Sequence, residues 1–132
     1  MIQHLHWGEV YSVGIREFDE DHQILFRWIN TLIDEIRRGN QGALVQEILD
    51  HMLEDVVLHF EKEEAALEKA NFPDLGHHRE DHYILLRSVL KFKNELKYDR
   101  LDSEKVVIFL VDWVTAHIKD QDMKYKPFLE AT

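Results

Sequence analysis

Five histidines and one glutamate, His22, His59, Glu63, His78, His82 and His117, are spaced so that imidazole nitrogen and carboxylate oxygen could converge on metal. His59 and Glu63 form HxxxE, and His78 and His82 form HxxxH. A four-residue step is about one helical turn, so each pair shares a face and can reach one centre. The same residues continue apolar seams. His22 leads into Leu25, Ile29, Leu32 and Ile36, while Val45, Leu49, Met52 and Val56 lead into His59 and Glu63. Leu75, His78, His82, Leu85, Val89, Phe92 and Leu96 form a third seam, and Val106, Leu110, Trp113 and His117 a fourth. Alternating steps of three and four residues turn a face towards partner helices and away from water. Without a metal, so many buried polar groups would compete for partners, at about 1–3 kcal/mol for each one left unsatisfied.

The elements that must position these residues follow from the breakers. Gly39 and Gly42, Pro73 and Gly76, and Pro127 punctuate a chain otherwise poor in both residue types. Helix one is expected from about Asp19, a candidate N-cap, to Arg38, with Gly39 ending it; helix two spans Ala43–Lys69 and helix three Asp74–Lys97. Helix four starts at Asp102 or Ser103 and runs through His117. Short connections make neighbours antiparallel, which predicts an all-α, up-down-up-down four-helix bundle. The stretch before Asp19 carries Trp7, Tyr11, Val13, Ile15 and Phe18 without long periodicity and reads as an extended arm. One domain over residues 1–132 is expected: arm 1–18, bundle 19–120, C-terminal tail 121–132.

Composition narrows the chemistry. The absence of cysteine removes disulfides, thiolate ligands and a cysteine nucleophile, so any metal sits on nitrogen and oxygen. A formal charge of −10, with no basic stripe, argues against nucleic acid. No apolar run is long enough for a bilayer, and Met1 to Val10 lacks the features of a signal peptide, so a cytoplasmic location is expected. Most carboxylates, such as Glu17, Asp34, Glu54 and Glu95, read as a solvated face.

The donor set overfills one tetrahedral zinc site, and no HExxH motif occurs. Two metals fit better. Imidazole with carboxylate suits iron, although affinity order alone leaves manganese, cobalt and zinc open. A pair of octahedral ions has about twelve positions; two bridging carboxylates and a solvent oxygen would take about six and five imidazoles five more, which leaves room for one small ligand. A second carboxylate must come from near His117, where Asp112, Asp120 and Asp122 compete. Seam periodicity favours Asp120, because Asp122 at i+5 would need a π-type turn or a helix end to face the same way.

Taken in order, His22, then HFEKEE from His59, HREDH from His78 and HIKDQD from His117 resemble hemerythrin, in its single-domain bacterial form, across almost the whole chain. The resemblance implies Asp122 in place of Asp120. It also implies two iron ions with an oxo or hydroxo bridge: His78, His82 and His117 on one iron, His22 and His59 on the other, and Glu63 and Asp122 bridging. The open position would lie on the two-histidine iron beneath Leu25, Phe60, Trp113, Val114 and Ile118. Reversible binding of dioxygen is the implied activity, as a carrier or store and not as an enzyme. The implied lining carries no acid to protonate a bound ligand.

Alternatives are a di-iron oxidoreductase acting on peroxide or nitric oxide, and an oxygen sensor. Ferritin-like di-iron enzymes use carboxylate-rich sites with ExxH motifs, absent here, and five neutral imidazoles should stabilise high-valent iron poorly. Sensing would work through a separate protein partner, since this length leaves no space for an output domain. Three residues depart from the family's common pattern. Asp21 stands before His22 where Gln is frequent, Leu67 where Met is common and Val114 where Leu is more usual. Asp21 and Leu67 are expected not to touch the ligand set, although Asp21 could add negative charge near the iron bearing His22. His4, His6, His51 and His77 fall outside the motif.

Overall fold

The computed structural model describes residues 3–39, 42–98 and 102–130. Its elements are a short 3-10 turn at Glu9–Tyr11, then α1 (Arg16–Arg37), α2 (Ala43–Lys69), α3 (Leu75–Lys97), α4 (Ser103–Ala116), a π-helical segment (His117–Asp122) and α5 (Met123–Glu130). No strand occurs among the described residues. α1 packs against α2 and α4, and α3 against the same two helices, closing an antiparallel four-helix bundle. None of the described helices is long and apolar enough to cross a membrane.

The anticipated seams are the buried faces. Ile29, Leu32, Leu49, Met52, Val56, Leu85, Val89, Val106 and Leu110 form the middle of the main core, with Phe92 and Trp113 packed at its edge. A second, smaller cluster of Val13, Phe18, Leu67, Phe72 and Tyr125 closes one end of the bundle. Rings from both clusters touch the histidines: Phe18 lies edge-on to His59 and Phe72 edge-on to His78, while Phe60 and Trp113 stack on His82 and His117. The polar centre therefore sits between two apolar layers.

Two boundaries differ from the sequence expectation. α1 starts at Arg16, so residues 16–18 belong to the bundle. Asp19 is not its cap, because its carboxylate accepts Ser12 Oγ–H at 2.7 Å and Val13 N–H at 2.8 Å, tying the incoming chain to the first turn. The expected tail over 121–132 is not plain where it is described, since Met123–Glu130 is helical and Pro127 lies inside that helix. Pro127 is exposed, where an unpaired carbonyl can be met by water, and burial of Tyr125 rewards the extra turns. Other punctuation holds. Gly39 has φ +82° and donates its N–H to Ile36 O at 3.0 Å, a left-handed helix stop. Asp102 caps α4 by accepting Glu104 N–H at 3.0 Å. Ahead of α1, Leu5 N–H donates to Asn30 Oδ1 at 2.7 Å, and Trp7 and Tyr11 pack on Phe26.

Candidate metal centre

All seven anticipated donors are buried in one place. His22, His59, His78, His82 and His117 are 2–7% exposed, and Glu63 and Asp122 are fully enclosed. α1 supplies His22; α2 supplies His59 and Glu63 one turn apart; α3 supplies His78 and His82; the π segment supplies His117 and Asp122. That segment resolves the competition among the three aspartates. Wider winding brings i+5 back onto the face of i, so Asp122 turns inward beside His117, while Asp112 and Asp120 are exposed.

Each carboxylate divides its oxygens between two groups of imidazoles. Glu63 Oε1 lies 2.6 Å from His78 Nε2 and 3.1 Å from His82 Nε2; Glu63 Oε2 lies 3.0 Å from His59 Nε2 and 3.7 Å from His22 Nε2. Asp122 repeats the division, with Oδ1 2.9 Å from His117 Nε2 and 3.2 Å from His78 Nε2, and Oδ2 3.3 Å from His22 Nε2. Two sets of donors able to hold a metal result: Glu63, His78, His82, His117 and Asp122, and His22, His59 and Glu63.

Outer contacts fix which nitrogen points inward. His59 Nδ1 meets Asp21 Oδ2 at 2.8 Å, His82 Nδ1 meets Glu64 Oε2 at 2.9 Å, and His117 Nδ1 contacts an Asp81 oxygen. A carboxylate holds the proton on Nδ1 and leaves the Nε2 lone pair facing the centre. Those lone pairs crowd: His82 and His117 Nε2 are 3.2 Å apart, and His22 and His59 Nε2 3.0 Å apart. Both Asp122 oxygens are buried without a well-formed hydrogen bond. Such a cluster calls for positive charge at its middle, and nitrogen and oxygen donors in this number fit a pair of transition-metal ions.

Without metal, protons supply that charge. Burial disfavours imidazolium, yet hydrogen bonds to Asp21 and Glu63 raise His59 to about 9. Against the same burial cost, Asp122 and Glu63 raise His78 to about 9, and Asp122 and Asp81 raise His117 to about 10. Burial pushes Glu63 up, but the surrounding histidines outweigh it and hold its carboxyl well below the usual range. Asp122 is lowered too, His117 and His78 overcoming burial and the charge of Glu63.

Two contacts revise the sequence reading. Asp21, expected not to touch the donor set, touches it through His59, and Lys62 Nζ pairs with Asp21 at 2.9 Å. Tyr125, absent from the anticipated site, is fully buried and donates its O–H to Glu63 Oε2 at 3.0 Å. Burial and the charges of Asp122 and Glu63 raise that phenol well above its ordinary value, so it keeps its proton. A signal for the outer acids was present. Glu-Asp-His occurs at 20–22 and again at 80–82, and in each the aspartate serves a histidine of a neighbouring helix. Leu67 is enclosed in the smaller apolar cluster.

Of the five anticipated lining residues, Leu25, Phe60, Val114 and Ile118 are buried and Trp113 half-buried. Phe60 stacks on His82 at 3.6 Å between ring centres, and Trp113 on His117 at 4.3 Å. Leu25 borders a cavity of about 120 Å3 shared with Asp21, Trp28, Val56, His59 and Lys62. His51 and His77 are exposed, His51 stacking on Trp28, and His4 pairs with Asp34 at 2.6 Å.

Residues 13–129 match the family described as hemerythrin HHE cation binding domain. A hemerythrin-like protein of Naegleria gruberi is 35% identical over 123 residues, covering 93% of this chain and 92% of that protein. A bacteriohemerythrin of Methylococcus capsulatus is 27% identical over 122 residues, 92% of each chain. The bundle is also similar to a crystal structure of wild-type hemerythrin, with a TM-score of 0.87 at 24% identity, covering 95% of this chain and 97% of that one. With a family match along most of its length and a buried cluster suited to metal, the chain belongs to the hemerythrin family.

Proposed function

We propose that the chain binds dioxygen reversibly at two iron ions with an oxo or hydroxo bridge. In this reading His78, His82 and His117 hold one ion, His22 and His59 the other, and Glu63 and Asp122 join them. The observation that carries it is the division of oxygens: Oε1 and Oδ1 face one set of imidazoles while both second oxygens face the other. Iron held by these residues would supply the reversible redox chemistry that dioxygen binding needs.

The protein's part is to hold, orient and exclude. Asp21, Glu64 and Asp81 keep Nδ1 protonated on three imidazoles, so Nε2 stays aimed inward. Leu25, Phe60, Trp113, Val114 and Ile118 restrict water, which limits protonation of a bound ligand. Tyr125 donates its O–H to Glu63 Oε2 at 3.0 Å, so its proton is engaged by that carboxylate and not offered to a bound ligand. That favours carriage over turnover. Anaerobic loading with ferrous iron should give two ions per chain and an uptake of one dioxygen per pair at an oxygen electrode, with the gas recovered when oxygen pressure is lowered. Continued consumption of oxygen without recovery would point to an oxidase.

A further inference from the structure

We propose that the two halves of this centre fill in a fixed order: the half built by His78, His82, His117, Glu63 and Asp122 binds a divalent cation first, and the His22–His59 half binds a second more weakly. The inference rests on the metal-centre reading above and concerns how supply of the second ion regulates it.

Three features separate the halves. Donor number is the first, because five groups lie mutually within 4.8 Å in one half, whereas the other gathers three, with Asp122 Oδ2 adding a fourth beside His22 at 3.3 Å. Support of the ligands is the second. His82 and His117 each hand Nδ1 to a carboxylate. In the weaker half His59 has Asp21, but His22 Nδ1 is buried without a partner. Loss of such an outer partner typically lowers metal affinity about 10–100-fold, and an unpaired buried nitrogen leaves the ring free to choose the wrong tautomer.

Tyr125 is the third feature. Its O–H donates to Glu63 Oε2, the oxygen that faces His59 and His22, while Oε1 faces His78 and His82. A hydrogen bond draws electron density from the oxygen that accepts it, so the same carboxylate is a poorer donor towards the second ion than towards the first. Tyr125 is thus a positioning residue that biases Glu63. Chains holding one ion would then accumulate whenever divalent metal is limiting, and they would lack the second ion needed to bind dioxygen. Occupancy of the His22–His59 half becomes the switch between an idle and a competent chain.

The test is an anaerobic titration of the metal-free full chain with Co(II), read by native mass spectrometry and by the visible bands of the cation. At one equivalent, chains with one ion should predominate, and the two dissociation constants should differ by about tenfold or more. His59→Asn should abolish the second step and spare the first, His82→Asn should weaken the first, and Tyr125→Phe should narrow the gap by tightening the second. A mixture of metal-free and two-ion chains at one equivalent would overturn the order of filling and leave the two-metal centre standing. Failure of the folded chain to bind any Co(II) would overturn both. An unchanged gap in Tyr125→Phe would remove the phenol from the argument.

Discussion

At the residue scale, the outer carboxylates decide what the inner imidazoles can do. Asp21 shares one oxygen between His59 Nδ1 and Lys62 Nζ, at 2.8 and 2.9 Å. Asp21→Asn keeps an acceptor but removes the charge, so the pKa of His59 should fall from about 9 towards its ordinary 6.5 in the metal-free protein. Metal affinity should drop about 10–100-fold. Histidine proton resonances followed against pH, together with a metal titration, check both effects; an unmoved His59 would remove Asp21 from the site. Sequence spacing put His22, His59, Glu63, His78, His82 and His117 on inward faces, where the structure buries them, because each continues an apolar seam. Asp21, Asp81 and Glu64 were not legible in that way. Each stands beside a seam residue in sequence and reaches a histidine on another helix, a relation that depends on how helices pair. Tyr125 was missed because the segment beyond Asp122 reads as a tail.

The π segment and α5 are the elements that complete the site. Periodicity of an ordinary helix pointed to Asp120, and the structure instead buries Asp122 because six residues from His117 wind wider than an α-helix. Sequence alone could state that requirement but not that the chain meets it, since π turns are rare interruptions of α-helices and the seam pattern follows the ordinary helical period. Asp122→Ala should lower bound iron below two per chain, whereas Asp120→Ala should leave it unchanged, as metal analysis would show. Equal loss in both variants would mean that exposed Asp120 also reaches the metal. α5 closes the polar centre by packing Tyr125 among Val13, Phe18, Leu67 and Phe72. Tyr125→Ala should cost about 3–5 kcal/mol in urea unfolding, the range for deleting a large buried ring. A cost under about 1 kcal/mol, typical of surface changes, would show that α5 is a dispensable appendage.

For the whole molecule, a conventional bundle core supports a centre that is costly to leave uncharged. In the metal-free chain His59 and His78 stand at about 9 and His117 at about 10, against an ordinary 6.5. Groups raised in the folded state contribute stability that is fully present below the unfolded value and is lost as pH climbs through the folded one. Glu63 and Asp122 act in the opposite sense, losing their contribution as pH falls through their lowered values. Urea midpoints of the chelator-treated protein should therefore be highest near pH 6 and decline steadily to pH 10, while metal restores stability at the alkaline end by displacing those protons. A flat profile from pH 6 to 10 would show that the histidines are not protonated in the folded state. The antiparallel bundle was legible from four apolar seams and short connections, and the family follows from the match over residues 13–129. Reversible oxygen binding is tested most directly by the visible spectrum of the reduced, iron-loaded protein through repeated admission and removal of air. A charge-transfer band that appears in air and vanishes on deoxygenation, with two irons retained per chain over several cycles, is the expected result; a band that persists after oxygen is withdrawn, or a chain that holds no iron, would contradict it.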